Sequence, residues 1–300
     1  MWKLLRLSLV PFFIFAYEGF HSLKIEVGAR ESAMGGTGVS HALAPFSAYW
    51  NPALIVWNPS QIQFFHYSCF ASTRLQGFCV NRKIFEKASF SISLLHFGGG
   101  KIELRDEIVS ENPKGYYDFH DIVIGIGGAG KISSDASWGI NLKYYFEKIW
   151  RYEGNGVGFD AGIKFKPFKF LDAGFSISNF GTTIRVKNDL YNLPTLARLG
   201  ISLSYKIKGY KIIFSSSLDY RFYSKGVLVE DRTVPDPLKV GNGIELNYKF
   251  ISLRAGIKLA DNNYYAVGIG IKEKWISIDY SYSLYQFSIG GIHRIDLTFF

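Results

Sequence analysis

From about residue 61 to the end of the chain, apolar and polar residues alternate with a period of two. In 275–285, for example, Ile276, Ile278 and Leu284 fall on one face, and Ser277 and Asp279 fall on the other. Because successive side chains of a β-strand point to opposite faces, this pattern predicts strands. Strands of globular proteins average about five or six residues, whereas a tilted strand that crosses a bilayer needs about nine to eleven. Most segments here are ten to fourteen residues long, which favours membrane-crossing strands.

The alternation divides residues 61–300 into about fourteen segments. Their approximate extents are 61–72, 74–84, 87–98, 117–129, 136–148, 155–166, 170–180, 195–207, 210–223, 238–249, 251–260, 263–272, 274–286 and 290–300. One face of each is aliphatic and aromatic, and the other carries Gly, Ser and charged residues. A membrane barrel turns the first face to lipid and the second to its lumen. The predicted fold is therefore all-β, a transmembrane antiparallel β-barrel of about 14 strands spanning 61–300.

The composition agrees with this fold and excludes others. The chain is 48% hydrophobic and 17% aromatic, with 31 Gly and 2 Met. Yet no uncharged apolar run of about 18 residues follows the first twenty, so a bundle of membrane-spanning helices is excluded. Only 20% of the residues are charged, which argues against disorder. A soluble β-rich binding protein is the remaining alternative, and both the strand length and the character of the two faces disfavour it.

Residues 1–16 are typical of a secretory signal peptide. Lys3 and Arg6 precede the apolar run 7–15, and Ala16 is a small residue at a plausible cleavage point. The alternatives are a buried segment and an uncleaved anchor. An exported barrel would reside in the outer membrane of a diderm bacterium of the Gram-negative type.

The net charge predicts an anionic environment. It is +9 for the whole chain, and removal of Lys3 and Arg6 leaves 9 − 2 = +7. A positive exported barrel is expected to contact outer-membrane lipid, including lipopolysaccharide. Nucleic acid is not expected as a partner, because the basic residues are spread along the chain without a dense cluster.

Residues 17–60 differ from the rest of the chain, because glycines and prolines interrupt any long element. We predict a plug, or hatch, inside the barrel, since the aromatic residues of this segment need burial. A loose periplasmic leader is the alternative. The residues that mark the plug are Gly28, Ala29, Arg30, Met34, Gly35, Gly36, Tyr49, Trp50, Asn51, Pro52 and Ala53.

Several charged residues fall on the polar face of the predicted strands and are candidates for the lumen wall: Asp160, Lys164, Asp219, Arg221, Glu245, Lys249 and Asp279. They would either pair with one another and solvate the interior or tune selectivity.

No catalytic, metal or cofactor site is predicted. The run 125–131 fits both G-x-G-x-x-G and G-x-x-x-x-G-K, but Ile132 replaces the Ser or Thr of a phosphate-binding loop and a strand pattern follows instead of a helix. The six histidines form no pair with metal-ligand spacing. A hydrolase whose Ser, His and Asp converge only in space stays open, although no nucleophile elbow is present.

Cys69 and Cys79 are the only cysteines. An exported protein could join them across a hairpin near Arg74. The predicted phase places them on opposite faces, which argues against the bond, so a disulfide is an open alternative.

The chain resembles the PorV/PorQ family of outer-membrane barrels, which is related to the FadL transporters of hydrophobic compounds. The resemblance rests on 28–36 and on Tyr49-Trp50-Asn51-Pro52-Ala53, with further matches at 178–181, 193–200, 254–256 and 279–295. It implies a fourteen-stranded barrel with a luminal N-terminal hatch. From the related transporters it also implies a kink in the wall at Asn179 and Gly181. The terminal Phe299 and Phe300 fit a signal for the barrel insertion machinery.

Two function classes stay open. The first is transport of hydrophobic or small solutes across the outer membrane, with a hydrophobic ligand. The second is a structural or secretion-associated barrel, similar to PorV of the type IX system, whose partners are exported proteins.

Overall fold

The computed structural model describes residues 17–105, 112–187, 189–222, 237–260, 262–286 and 290–300. Seventeen strands lie in this part of the chain, fourteen of them in one closed antiparallel barrel. The barrel strands are β2 Gln61–Ser68, β3 Arg74–Phe85, β4 Ala88–Leu104, β5 Gly115–Lys131, β6 Ala136–Ile149, β7 Tyr152–Phe168, β8 Leu171–Gly181, β11 Leu196–Ile207, β12 Tyr210–Arg221, β13 Leu238–Tyr248, β14 Ile251–Leu259, β15 Tyr264–Lys272, β16 Ile276–Tyr285 and β17 Gly291–Phe299. The predicted fold class and strand number are confirmed.

Each barrel strand pairs with its neighbours in the chain, except at two places. The last strand, β17, pairs with the first, β2, and closes the barrel. β8 pairs with β11 across the connection that separates them. One end of the barrel has short turns, such as Lys208–Gly209 between β11 and β12, whereas the longer connections lie at the other end, called here the loop end.

The side chains alternate between the two faces of the wall, as the period of two predicts. On β2, Gln61, Gln63 and Tyr67 are buried and point inward, while Ile62 and Phe64 are exposed and point outward. The outward set is large and apolar: Ile126 on β5 is 58% exposed and Leu142 on β6 is 62% exposed. Such a surface is costly in water and is the one expected to contact lipid.

No helix in the described residues combines the length and the apolar character that crossing a membrane requires.

Residues 19–58, called here the inner segment, lie within the barrel. Their regular elements are one or two turns long: α1 Ala29–Ala33, α2 Ser47–Trp50 and the 3-10 helices His21–Lys24, Gly38–Ser40 and Pro52–Trp57. Nearly every side chain between residues 27 and 56 is buried. The interior is therefore filled by this segment together with the inward side chains of the wall.

A small second sheet lies at the loop end. It consists of β1 Tyr17–Glu18, β9 Ile184–Val186 and β10 Asp189–Asn192, with β1 parallel to β10. Residues 181–194 lie between two of the predicted segments, and strands of two to four residues were not predicted there because they give no visible alternation. The predicted signal peptide, 1–16, lies outside the described residues.

One expectation differs from the structure, and one open alternative is not found. Lys249 does not face the lumen, because β13 ends at Tyr248 and Lys249 adopts a left-handed φ of 52° in the turn that follows. Its ammonium lies 5.3 Å from the ring of Tyr248. Cys69 and Cys79 are free thiols. Cys79 pairs with Gln63, five residues below the loop end of β3, so it is roughly 15 Å of strand away from the turn that holds Cys69, too far for a disulfide.

Candidate functional site

One contact between the inner segment and the wall is made at a buried carboxylate. Asp296 on β17 is 2% exposed. Its carboxylate accepts hydrogen bonds from the Ala29 N–H at 2.7 Å, the Tyr67 hydroxyl at 2.9 Å and the Gln63 amide at 3.1 Å. The Tyr67 oxygen also accepts from the Gly28 N–H at 2.7 Å. The start of α1 is thereby fixed to β2 and β17.

Arg30 links α1 to the opposite part of the wall. Its guanidinium contacts the Glu245 carboxylate on β13 at 2.6 Å and the Glu31 carboxylate at 3.1 Å. Glu245 also pairs with Arg254 on β14 at 3.0 Å, and Arg254 pairs with Asp279 on β16 at 2.6 Å. The result is a chain of alternating charges across the short-turn half of the interior. Buried charges are tolerated when they are paired in this way.

The turn after α1 rests directly on glycines of the wall. Gly35 has a φ of 70°, and a side chain there would overlap the Ile257 carbonyl. On the facing strands, a side chain at Gly243 or Gly256 would overlap the backbone of Met34. Gly36 also has a positive φ, 71°, and its carbonyl accepts from the Ser217 hydroxyl at 3.2 Å. The backbones approach so closely because both surfaces lack side chains.

The second half of the inner segment is held to β6, β7 and β8 by hydrogen bonds from side chains to backbone carbonyls. The Trp50 carbonyl accepts from the Ser176 hydroxyl at 2.7 Å, and the Ala53 carbonyl accepts from the Ser137 hydroxyl at 2.8 Å. The Asn51 amide donates to the Ile163 carbonyl at 2.9 Å, while its oxygen caps the Ala53 N–H at 3.0 Å. Asn51 and Pro52 thus begin the 3-10 helix Pro52–Trp57, as an N-cap followed by Pro at the first helical position.

Of the seven charged residues predicted in the lumen wall, six point inward: Asp160, Lys164, Asp219, Arg221, Glu245 and Asp279. Most are paired. The Lys164 ammonium lies 3.0 Å from the Asp172 carboxylate, and the Asp219 carboxylate lies 2.7 Å from the Lys258 ammonium. They form several separate clusters rather than one continuous lining.

Asn179 and Gly181, the candidate wall kink, lie at the loop end of β8. Phe159 on β7 pairs with Phe180 and Ala161 pairs with Ile177, so Ser178 and Asn179 together oppose Asp160. This is a β-bulge, and Asn179 has a left-handed φ of 58°. The hydrogen-bond ladder between the two strands is interrupted at this place.

Charged and polar groups hold the bulge. The Asp160 carboxylate, fully buried, accepts from the Asn179 N–H at 2.8 Å and contacts the Lys143 ammonium at 2.7 Å. Lys143 also donates to the Asn179 side-chain oxygen at 2.9 Å. Next to the bulge, Arg198 on β11 donates to the Ser178 hydroxyl at 3.0 Å and to the Tyr49 carbonyl at 3.2 Å. One guanidinium therefore joins the bulge to the inner segment.

Apolar surfaces lie on both sides of the wall at the bulge. On the outer face, a groove of about 590 Å³ is lined by Val157, Phe159, Phe180 and Gly181. Inside, a buried apolar cluster occupies the loop half of the barrel. Its members include Phe20, Leu23, Tyr49, Trp50, Phe65, Tyr67, Leu95, Val123, Tyr145, Ile184 and Leu193.

Two titratable groups of the inner segment are strongly affected by their surroundings. Burial, and then the nearby charge of Arg30, lowers the pKa of His41 well below its usual value. Burial raises the pKa of Tyr49 to about 12. Both side chains are therefore neutral at pH 7, and the Tyr49 hydroxyl donates to the Ile25 carbonyl at 3.1 Å.

Several luminal charges were not predicted from the sequence: Lys143, Asp172, Arg198, Arg254, Lys258, Arg294 and Asp296. The signal was present in the strand phase, because nearly all of them alternate with outward apolar neighbours; Arg294 follows the outward His293 instead. Lys143, for example, lies between Leu142 and Tyr144, which are both exposed.

The comparisons with known proteins give a likeness in fold. No protein-family model matches the chain, and no curated protein matches it in sequence. Among solved structures, the Ralstonia pickettii toluene transporter TbuX matches with a TM-score of 0.63 and 13% identity, over 95% of this chain and 98% of that one. The CymD monoaromatic hydrocarbon channel matches with a TM-score of 0.66 and 11% identity, over 91% and 96%. A Pseudomonas aeruginosa FadL homologue matches with a TM-score of 0.58 and 12% identity, over 91% and 98%.

These similarities agree with the expected relation to the FadL transporters at the level of the fold. They give no support to the expected relation to PorV and PorQ or to a role in protein secretion.

Proposed function

We propose that this chain is an outer-membrane barrel that conducts small hydrophobic compounds. The fold is similar to those of TbuX and CymD, which are described as a toluene transporter and a monoaromatic hydrocarbon channel. The exposed apolar wall suits a lipid environment, and the polar interior suits a barrel rather than a soluble sandwich.

The observation that carries this proposal is the bulge at Asn179. It interrupts the wall between an apolar groove on the outer face and an apolar cluster on the inner face. An apolar solute that passes from the outer groove to the inner cluster would cross the wall beside the Asp160–Lys143 pair, whose charges already satisfy each other. The inner segment would act as the hatch, because its aromatic residues Tyr49 and Trp50 form part of the cluster that receives the solute.

The interior also favours neutral solutes over carboxylates. Asp121 and Glu147 are paired across β5 and β6 and point inward. Asp121 borders a small apolar recess formed with Leu95, Phe97 and Val123. Neither carboxyl forms an ion pair within the described residues, and like charges repel a bound carboxylate. We therefore expect uptake of toluene and exclusion of benzoate.

The test is solute uptake by a variant that lacks Asn179. Removal of this one residue restores a continuous register between β7 and β8, so the interruption closes while the barrel keeps its strands. We expect cells carrying the variant to lose uptake of radiolabelled toluene. The matched control is Asn179→Gly, which keeps both the extra residue and its left-handed φ.

Heat-modifiable migration in gels would report that both variants are folded barrels. Normal toluene uptake by the folded deletion variant, or equal uptake of benzoate and toluene by the unchanged protein, would contradict the proposed route and selectivity.

A further inference from the structure

Four of the six histidines lie on the outer face of the wall, on neighbouring strands. His293 is on β17, His66 on β2, His96 on β4 and His120 on β5, and each alternates with inward buried residues. They occur where the rest of the outer face is apolar. We propose that this part of the wall binds the phosphate of a phosphorylated glycolipid of the outer leaflet, between Arg74 and the stacked imidazoles of His96 and His120. The proposal takes the outer-membrane location from the proposed function and does not depend on transport.

The polar residues form rows that follow the pairing of the strands. Residues that pair from one strand to the next form a row across the outer face: His293, Ser68, Arg74, Gly98, His120 and Lys148. Its cationic and hydrogen-bonding side chains therefore lie side by side. The next row towards the short turns contains His66, Gln76 and His96. Gln76 and His66 are joined by a hydrogen bond of 2.9 Å.

The proposed phosphate site is centred on Gly98, the one residue of the first row without a side chain. The rings of His96 and His120 are stacked with centroids 5.2 Å apart, and their nitrogens Nε2 and Nδ1 lie 3.0 Å apart. A Cβ at Gly98 would lie 3.2 Å from both rings, so the two imidazoles lie over this glycine. On the other side, Gly98 pairs directly with Arg74. A phosphate bound there would meet the Arg74 guanidinium and the edge of the imidazole stack.

The charges of the patch favour an anion. Arg74 is exposed and forms no ion pair within the described part of the chain. The acidic neighbours already have partners: Asp118 lies 3.2 Å from the His120 nitrogen, and Glu153 lies 3.1 Å from the Lys148 ammonium. Arginine with imidazole donors is a favourable set for a phosphate, because its hydrogen bonds are charge-assisted.

The occupant must also carry apolar chains. The next row of the same strands, on the short-turn side of the two polar rows, is entirely apolar or aromatic: Leu297, Phe64, Phe78, Leu94, Ile124 and Tyr144. The row after it begins with Phe299, Ile62 and Val80. A molecule with a phosphate head and acyl chains fits the polar rows and the apolar rows at once, whereas free phosphate or an acidic protein segment would contact only the polar rows.

The experiment measures binding of diphosphorylated lipid A to the purified full chain in detergent by native mass spectrometry. The test variant is Arg74→Gln/His120→Asn. The matched control is Arg82→Gln, which removes the same residue type from the outer face of the same strand, on the other side of the apolar rows. We expect the test variant to bind lipid A about tenfold more weakly, since the charge-assisted contact of Arg74 is lost, and the control to bind normally. Gly98→Ala, whose Cβ would displace the two imidazoles, should also weaken binding.

Two further arms identify the source of the phosphate. Phosphatidylglycerol should bind much more weakly than lipid A, and inorganic phosphate should not compete at millimolar concentration. Heat-modifiable migration would report that each variant is folded. Equal binding of lipid A by the test variant and the control would overturn the proposal. So would equal affinity for phosphatidylglycerol, or a dimer of the unchanged protein that the test variant abolishes.

Discussion

Replacement of Asp160 by Asn should weaken the wall at the bulge, although the two side chains have nearly the same shape. The Asp160 carboxylate contacts the Lys143 ammonium at 2.7 Å and accepts from the Asn179 N–H at 2.8 Å and the Asn141 amide at 3.1 Å. Asp160 is fully buried, and the Lys143 side chain is 5% exposed. Three hydrogen-bond donors surround the Asp160 carboxylate. An Asn side chain would present one accepting oxygen and one donating NH2 group to them, so one contact becomes repulsive and Lys143 loses its counter-charge.

The expected cost follows from burial. Removing one partner of a buried ion pair leaves an uncompensated charge and typically destabilises a protein by about 3–5 kcal/mol. Removing both partners does not leave such a charge. Lys143→Met/Asp160→Asn should therefore be more stable than Asp160→Asn alone, with a coupling of at least about 2 kcal/mol.

The measurement is urea unfolding of the barrel in detergent micelles, followed by tryptophan fluorescence for the unchanged protein, both single variants and the double variant. A matched control is Lys148→Met, because the Lys148–Glu153 pair is exposed and such pairs contribute less than about 1 kcal/mol. Additive effects of the two buried substitutions would show that the pair does not hold the bulge, and the reasoning above would be wrong.

Three other predictions follow from single positions. Gly256→Val should displace the inner segment, because the valine side chain would overlap the backbone of Met34 and Gly35. Planar-bilayer recordings of this variant should show a higher conductance. Gly128→Val, whose side chain would point outward into open space, should leave the conductance unchanged. The pKa of His41 is lowered in the folded chain, so the stability that neutral His41 contributes is complete above the unfolded pKa of about 6.5 and is lost as the pH falls below it. The free energy of unfolding should therefore differ less between pH 7.5 and pH 5 in His41→Gln than in the unchanged protein. An identical pH dependence of the two would contradict this. Cys79 is fully buried and Cys69 partly exposed, so a maleimide should label Cys69 first in the folded protein, and labelling of Cys79 at the same rate would contradict its burial.

The barrel could be predicted from the sequence because the alternation that defines each strand is a local property of the chain. An outward apolar residue at every second position defines a strand without reference to any other strand, and the fourteen expected segments correspond to the fourteen strands. The same rule explains the error at Lys249. Glu245, Asn247 and Lys249 continue the alternation in the sequence, but the chain turns after Tyr248, and alternation carries no information about where pairing stops.

The contacts across strands could not be predicted, because they depend on register. Lys143 and Asp160 face each other only because Asn141 pairs with Asp160, which brings the two side chains onto adjacent inward positions. The histidines of the outer face are a further example. They are between 24 and 227 residues apart in the chain, and only the pairing of β17, β2, β3, β4 and β5 places them together.

The distribution of ion pairs indicates how the inner segment relates to the wall. Many luminal charges are paired between wall strands: Arg254 with Glu245 and Asp279, and Lys143 with Asp160. The segment contributes few charged contacts of its own, chiefly Arg30 to Glu245, and otherwise relies on backbone groups packed against glycines. Departure of the segment would therefore leave most wall charges with a partner, and the closed ladder of fourteen strands would keep its hydrogen bonds. A wall that is complete without its contents can tolerate movement of the segment, which a hatch requires.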